Sequence, residues 1–470
     1  MEHALPISNY HPERAIDEIA DFIADPVQPA DFPKHVVRFR NDRAAATVGL
    51  DGLDDAAWAA HFGRFEPLPD AQPGPLALRY HGHQFRVYNP DLGDGRGFLF
   101  AQLRESAGAG GRLLDLGTKG SGLTPWSRTA DGRLTLKGGV REILATEMLE
   151  ALGVTTSRSF SLIETGEALI RGDEPSPTRS AVLVRLGHGH IRIGSFQRLA
   201  YLGETEHLQR LIAYCLEHLL VRDPGDNAAL TLLGAVVERT ADLAASYMVA
   251  GFVHGVLNSD NIAITAESFD YGPWRFTPRW EPGFTAAYFD QTGLYAFSRQ
   301  AEAIHWDVLQ LAQSLAGLTE TDALVEQLQR FPALYEARLI ARFLWRLGLE
   351  APDEVAARSF VVAAVEALRD SPVFIDRFFF DWRRGAGDGL AYAGAAWDKA
   401  RAAITALTMR EGANTHSYWQ GEAPCSMHID EVETIWDAIS ERDDWSPLHD
   451  KVAAIRAMGE AHAPRPAPIS

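Results

Sequence analysis

The hydrophobic pattern of this 470-residue chain changes near Gly194, from short β-type runs to long helical ones. From Gly97 to about Gly194 the pattern reads as β-structure, except for residues 136–152, which have helical spacing. Beyond Gly194, apolar residues recur mainly at i, i+3 and i+4 as far as about Ala457. A β-rich part followed by a larger helical part predicts an α+β fold with two lobes. The predicted strands cover residues 98–103, 113–119, 159–163 and 181–185.

The length allows two or three domains, and 46% hydrophobic residues allow a large core. Residues 1–75 mix helical and loop patterns and are interpreted as an extension packed on the core. A β-rich, nucleotide-binding lobe is predicted over residues 76–193. A helical lobe with the catalytic and metal-binding loops is predicted over residues 194–460. The Pro- and Ala-rich residues 461–470 read as a disordered tail.

The charge balance is acidic, with 44 Lys and Arg against 63 Asp and Glu. Proteins that grip nucleic acid or anionic membrane need a basic face, so neither partner is expected. The chain shows no secretory signal and no apolar run near the ~18 residues that span a bilayer, which favours a cytoplasmic location. Two cysteines, Cys215 and Cys425, exclude a disulfide-rich scaffold and are expected to be reduced.

The segment from His254 to Asn261 has the spacing of a protein-kinase catalytic loop, H-R-D-L-x-x-x-N. His254, Leu257 and Asn261 fall in register, and residues 270–272 (Asp-Tyr-Gly) begin nine positions after Asn261, in the place of D-F-G. An Asn and an Asp brought together by a hairpin supply two oxygen ligands for Mg²⁺, which completes its shell with water and phosphate. The alternative interpretation is a polar turn followed by an Asp-Tyr-Gly turn.

One departure from the kinase pattern constrains the reaction. Val256 occupies the position of the catalytic aspartate, and a valine side chain cannot accept a proton. The nearest carboxylate is Asp260, directly before Asn261. The chain is therefore either an inactive pseudokinase or a kinase-type fold that runs a different reaction.

Phosphate-binding features precede this loop. Residues 93–97 read Gly-Asp-Gly-Arg-Gly before a predicted strand, and closely spaced glycines let backbone amides approach phosphate. A tight Asp-Gly hairpin turn would look the same. Lys119 ends a predicted strand, and Glu142 follows 23 residues later in a predicted helix, as in the kinase lysine–glutamate pair. Taken alone, the two residues read as a surface lysine and a solvated glutamate, and the glycines at 117, 120 and 122 favour the functional interpretation.

Two arginines, Arg185 and Arg192, stand seven residues apart, and guanidinium groups suit phosphate oxygens. In an acidic protein they are also compatible with surface ion pairs. His188 and His190 lie between them and are interpreted as loop residues, because a third metal ligand is not evident.

Together these segments resemble the selenoprotein O family, whose bacterial members are also called YdiU. The resemblance runs from about Tyr80 to Ala312. It implies a protein-kinase-like fold and the transfer of AMP from ATP to Ser, Thr or Tyr hydroxyls of proteins, with ATP reversed relative to a kinase. The matching segments are residues 80–85, 92–96, 119–122, 124–128, 131–133, 141–142, 190–192, 254–261 and 270–272.

The resemblance also implies roles for individual residues. Asn261 and Asp270 would hold Mg²⁺ or Mn²⁺, Asp260 would accept the proton, and Glu142 would position Lys119. The residues expected to contact ATP are Gly93, Gly95, Arg96, Lys119, Asp131, Gly132, Arg185, Arg192 and Asp270.

The chain departs from the commoner family pattern at Arg86, Thr118 and residues 138–139, without losing a chemical group. It also lacks the terminal cysteine or selenocysteine of many members, so redox control is not carried over. The alternatives are UMP transfer with Mn²⁺, a small-molecule phosphotransferase and an ATP-binding pseudokinase scaffold. A monomer acting on ATP and on protein substrates is expected.

Overall fold

The structure is a computed structural model that describes residues 9–106, 111–172, 174–385, 387 and 389–463. It is α+β, with a large antiparallel sheet and many helices. The strands are β1 Pro12–Glu13, β2 Ala24–Pro26, β3 Val36–Arg40, β4 Leu76–Leu78, β5 Gly82–Gln84, β6 Val87–Asn89, β7 Leu99–Arg104, β8 Leu113–Lys119, β9 Leu134–Thr135, β10 Arg158–Leu169, β11 Thr178–Gly187, β12 Phe252–Val253, β13 Arg275–Phe276, β14 Leu349–Glu350 and β15 Thr408–Met409.

Helices dominate the chain after β11, as the change of pattern near Gly194 predicts. The helices are α1 Ala20–Ile23, α2 Asp42–Ala46, α3 Asp55–Phe62, α4 Leu136–Ala151, α5 Ile193–Leu202, α6 Thr205–Tyr214, α7 Ala228–Ala250, α8 Gln300–Leu315, α9 Thr321–Gln329, α10 Phe331–Leu347, α11 Glu354–Arg369, α12 Ile375–Arg383, α13 Ala395–Ile404, α14 Ile429–Arg442 and α15 Ser446–Ala461.

The main sheet has nine strands within the described residues, in the order β2-β4-β7-β8-β11-β10-β3, with β1 paired to β7 and β9 to β11. The predicted strands are confirmed as β7, β8, β10 and β11, and the predicted helix as α4. The sequence pattern missed β2 and β3, which form the two edges of this sheet. These strands are short, and their pairing with β4 and β10 joins distant parts of the chain. The sheet therefore contains strands from residues 1–75 as well as from residues 76–193.

Helix α4 packs closely against the sheet and carries Glu142 toward the end of β8. Thr135 caps its N-terminus by accepting a hydrogen bond from the amide of Gly138 (3.1 Å). A Cβ at Gly139 would lie 2.3 Å from Leu162 Cδ1 of β10, so any larger residue would force the Leu162 side chain to shift. Helix–sheet packing thus accounts for Gly139.

The cysteines, the helix lengths and the C-terminal residues can also be compared with the sequence predictions. Cys215 and Cys425 are both free, as predicted. Among the residues that the structure describes, none of the helices combines the length and apolar character that crossing a bilayer requires. The predicted tail begins inside the last turn of α15, and residues 464–470 lie outside the described residues.

A buried ion pair in the helical part gives a stability prediction. Arg346 Nη2 donates to Asp376 Oδ1 (2.6 Å), and the two side chains are 3% and 8% exposed. We expect Asp376→Ala to lower the free energy of unfolding by about 3–5 kcal/mol, because it leaves a buried cation unpaired. The matched control is Glu336→Ala, whose partner Arg358 is exposed, with an expected loss below about 1 kcal/mol. If urea unfolding showed the same loss of unfolding free energy in both variants, burial would not explain the strength of the Arg346–Asp376 pair.

Candidate active site

Lys119 lies at the end of β8 and is nine-tenths buried. Its ammonium group forms an ion pair with the carboxylate of Glu142, which is 1% exposed, and lies 3.5 Å from Asp270 Oδ1. Burial lowers the pKa of Lys119, while Glu142 and Asp270 oppose that change. The structure therefore confirms the predicted contact between Lys119 and Glu142.

Three cations converge on the carboxylate of Asp270. Arg185 Nη1 donates to Oδ1 (2.6 Å), Arg192 Nη1 donates to Oδ2 (3.1 Å), and Lys119 completes the group. Burial alone would raise the pKa of Asp270, but Arg185, Lys119 and Arg192 hold it well below the ordinary value. Asp270 has a left-handed backbone (φ 59°), which an aspartate tolerates better than most residues. The site thus concentrates positive charge around one ionised carboxylate.

Arg192 connects this cluster to the glycine-rich segment and to the catalytic loop. Its Nη2 donates to Asp94 Oδ1 (3.1 Å), and its Nη1 donates to the backbone carbonyl of Asp260 (2.9 Å). The guanidinium carbon lies 4.4 Å from the ring centre of Tyr80 and 4.7 Å from that of Phe269. Sequence reasoning missed Asp94 and the two rings, although Asp94 lies inside the Gly-Asp-Gly segment that it singled out.

The glycine-rich segment is packed against Trp126. A Cβ at Gly93 would lie 2.3 Å from Trp126 Cγ, and one at Gly95 would lie 2.9 Å from the Trp126 carbonyl oxygen. Ser127 Oγ donates to the carbonyl of Gly95 (2.5 Å), which ties the two segments together. These glycines are therefore required by close packing, whatever they contact in a complex. The side chain of Arg96 is exposed beside them.

Asp260 lies on a short 3₁₀ turn, Ser259–Asn261, and is 7% exposed. Its Oδ1 has no hydrogen-bond partner among the described residues. Burial raises its pKa to about 6, although Arg192 opposes the rise. A buried carboxylate with an unused oxygen is suited to receive a proton.

Neighbouring residues brace this loop. Asn258 Oδ1 accepts hydrogen bonds from the amide of Phe85 (3.1 Å) and from the hydroxyl of Tyr295 (2.6 Å). Asn261 Nδ2 donates to the carbonyl of Val256 (3.0 Å), so its Oδ1 is the atom left for a ligand. The β5–β6 hairpin and the segment before α8 therefore position the loop from outside the motif.

These groups share one cavity of about 440 Å³, a size typical of small-ligand sites. Asp131 and Gly132 do not line it. Asp131 is exposed and pairs with Arg171 (2.7 Å), while a Cβ at Gly132 would lie 2.3 Å from the carbonyl oxygen of Gly122. Ala130, directly before them, does line the cavity. The sequence-selected residues that line it are Gly93, Gly95, Arg96, Lys119, Arg185, Arg192, Asp260, Asn261 and Asp270.

The donor set suits a magnesium-type cation that is bound together with a nucleotide. Asp270 and Asn261 offer hard oxygen atoms in the same cavity. Within the described part of the chain, no cluster of three or more His, Cys, Asp or Glu side chains could hold a metal by itself. Phosphate oxygens and water would have to complete the shell, which is the usual way in which Mg²⁺ is bound with nucleotides.

Known proteins resemble this chain over most of its length. Residues 6–456 match the family model for protein adenylyltransferase SelO. The protein nucleotidyltransferase YdiU of Synechocystis sp. is 40% identical over 483 residues, covering 96% of this chain and 99% of the relative. The protein of the same name from Gloeobacter violaceus is 42% identical over 474 residues, covering 97% and 96%. That from Pseudomonas aeruginosa is 35% identical over 360 residues, covering 76% and 72%.

Proposed function

The chain belongs to the protein adenylyltransferase SelO family and is a protein nucleotidyltransferase, and on that premise we propose that it transfers AMP from ATP to Ser, Thr or Tyr hydroxyls of proteins, with Mg²⁺ or Mn²⁺. One observation carries the proposal. Val256 stands where a phosphoryl-transferring kinase has its base, while the buried carboxylate of Asp260 lines the same cavity. Because this carboxylate stands four positions after the usual kinase base, it suits a hydroxyl that attacks the α-phosphorus of ATP rather than the γ-phosphorus.

In the proposed reaction the acceptor hydroxyl oxygen forms a bond to the α-phosphorus as the bond to pyrophosphate breaks. The hydroxyl proton passes to the unpartnered Oδ1 of Asp260. Lys119, Arg185 and Arg192 bind the phosphate oxygens and stabilise the charge that develops on them. When bound, the metal would be held by Asn261 and Asp270 and would neutralise charge on the leaving pyrophosphate.

The proposal includes a kinase-like, two-lobed arrangement with the cavity between the sheet and the helical part. The cavity supports this arrangement because Lys119 and Arg185 come from strands β8 and β11, whereas Asp260 and Asp270 come from loops after α7. A reversed ATP would extend past Ala130 toward Asp131 and Gly132. Contact with those two residues requires their segment to move, since neither lines the cavity in this structure.

Labelled nucleotide tests the proposed reaction directly. The protein is incubated with Mg²⁺ or Mn²⁺, a mixture of candidate proteins, and ATP labelled at either the α- or the γ-phosphate. We expect covalent label on protein from α-labelled ATP only, and none after chelation of the metal. Label from γ only would identify an ordinary kinase. Bound ATP without transfer would support a scaffold, and preferential label from α-labelled UTP with Mn²⁺ would support UMP transfer.

A further inference from the structure

A second cavity, of about 360 Å³, shares no lining residue with the nucleotide cavity. Its walls come from the ends of β8 and β11, the end of α4, the middle of α7 and residues 265–267. His188 lines it from the segment that joins Arg185 to Arg192, and Glu267 lines it three residues before Asp270. The cavity is therefore built from the same segments that position the phosphate-binding groups.

Two basic side chains in this cavity have unused hydrogen-bonding atoms. His188 is 8% exposed, and its Nε2 has no partner among the described residues. The Nε of Arg239 likewise has none there, and its Nη2 donates a long hydrogen bond to the carbonyl of Leu220 (3.4 Å). Burial, followed by repulsion from Arg222, lowers the pKa of Arg239. Burial lowers the pKa of His188 to about 3, so its ring is neutral and offers an N–H rather than a charge. An anion in the cavity would accept from the Nε of Arg239 and from the Nε2–H tautomer of His188.

The other arginines of the cavity already have carboxylate partners. Arg112 pairs with Glu105 (2.6 Å), Arg158 with Glu150 (3.0 Å) and Arg342 with Asp242 (2.6 Å). Within the described residues, Arg239 makes no such ion pair, so its charge is the one left for a ligand.

The remaining acidic side chain, Glu267, is already bonded. It accepts a hydrogen bond from the amide of His188 (2.6 Å), and burial raises its pKa to about 7. It therefore contributes less than a full negative charge near neutral pH. Glu267 therefore compensates the charge of Arg239 only in part.

We propose that this cavity binds a small phosphate-bearing anion through Arg239 and His188, and that its occupancy changes the affinity of the neighbouring site for ATP. A guanidinium group suits phosphate oxygens, and the neighbouring hydroxyl of Thr265 adds a further donor. The volume allows an anion larger than orthophosphate but excludes a macromolecule. The proposal concerns binding only and does not depend on which nucleotide group is transferred.

Short connections join the two sites. The Glu267–His188 hydrogen bond links the segment before Asp270 to the segment between the two arginines. Ser268 is anchored on both sides, since its amide donates to Thr155 O (2.9 Å) and its carbonyl accepts from Ser157 N (3.0 Å). An anion bound to His188 would therefore shift the two segments that carry Arg185, Arg192 and Asp270, and so change the distances between these side chains. Coupling between sites is typically about 5–150-fold in affinity, and it is reciprocal.

Calorimetry with inorganic phosphate tests the site while a non-hydrolysable ATP analogue and Mg²⁺ saturate the first cavity. We expect saturable binding of phosphate that Arg239→Gln weakens about ten-fold or more, the cost of one charge-assisted hydrogen bond. The control is Arg198→Gln, since Arg198 is also half-buried without an ion pair among the described residues but lines neither cavity. Absence of saturable binding, equal weakening by the control, or equally tight binding of acetate would overturn the proposal.

A second pair of variants keeps the test valid if Arg239→Gln does not fold. Thr155 lines the cavity and is exposed, so substitutions there leave the core intact. Thr155→Glu should weaken phosphate binding about ten-fold by charge repulsion, whereas the neutral Thr155→Gln should not. In the wild type, phosphate should also change the Kd for ATP at least about five-fold, and Thr155→Glu should remove that change. An unchanged Kd for ATP in the wild type would refute the coupling.

Discussion

Replacing Asp260 by Asn is expected to slow nucleotide transfer to protein by about 10²–10⁴-fold while ATP still binds. Asn has the same shape but cannot take the proton from an acceptor hydroxyl. The backbone carbonyl of residue 260 would keep its hydrogen bond from Arg192, so the loop should hold its position. The measurement is the single-turnover rate of transfer at saturating ATP, together with the Kd for ATP.

Asp307→Asn is the matched control for this variant. Asp307 is also a buried aspartate with an unpartnered oxygen among the described residues, but it does not line the nucleotide cavity. Burial, and then the charge of Asp260, raises its pKa well above the ordinary value, which favours the neutral form that Asn mimics. A rate within about ten-fold of wild type in Asp260→Asn would remove Asp260 as the base. Equal losses in both variants would indicate damage to the loop instead.

Replacing Asp270 by Asn is expected to reduce transfer by about 10³-fold, or roughly 4 kcal/mol of transition-state stabilisation. The reason is loss of a metal ligand rather than loss of nucleotide binding. Lys119, Arg185 and Arg192 would lose the carboxylate that now neutralises them. We therefore expect metal-free ATP to bind the variant at least as tightly as it binds the wild type.

The measurement is the Kd for ATP with Mg²⁺ and with a chelator, beside the transfer rate. The control is Asp21→Asn, which removes a surface carboxylate bound to Arg210 and should change neither quantity. Metal-dependent transfer at the wild-type rate in Asp270→Asn would contradict the assignment of Asp270 as a ligand. Loss of metal-free ATP binding in that variant would contradict the proposed separation of metal and phosphate contacts.

Much of this arrangement could be predicted from local patterns. Alternating and helical apolar spacing located β7, β8, β10, β11 and α4, because each buries one face over several consecutive residues. The pairing of Lys119 with Glu142 could be anticipated because one residue ends a strand and the other lies on the helix that packs beside it. The edge strands β2 and β3 could not be predicted in this way, because short segments carry little periodicity and their partners lie 50 or more residues away.

The amino-acid sequence by itself determined the order of the chemical groups: a glycine-rich segment, a lysine, a glutamate, two arginines, and a loop in which Val256 replaces the usual base. Only the tertiary structure decided which groups meet. It gathers Lys119, Arg185 and Arg192 around Asp270, turns Asp131 toward Arg171, and encloses Arg239 with His188 in a second cavity. The physical reason is that charge compensation and burial depend on distances between residues remote in the chain, which local spacing does not encode.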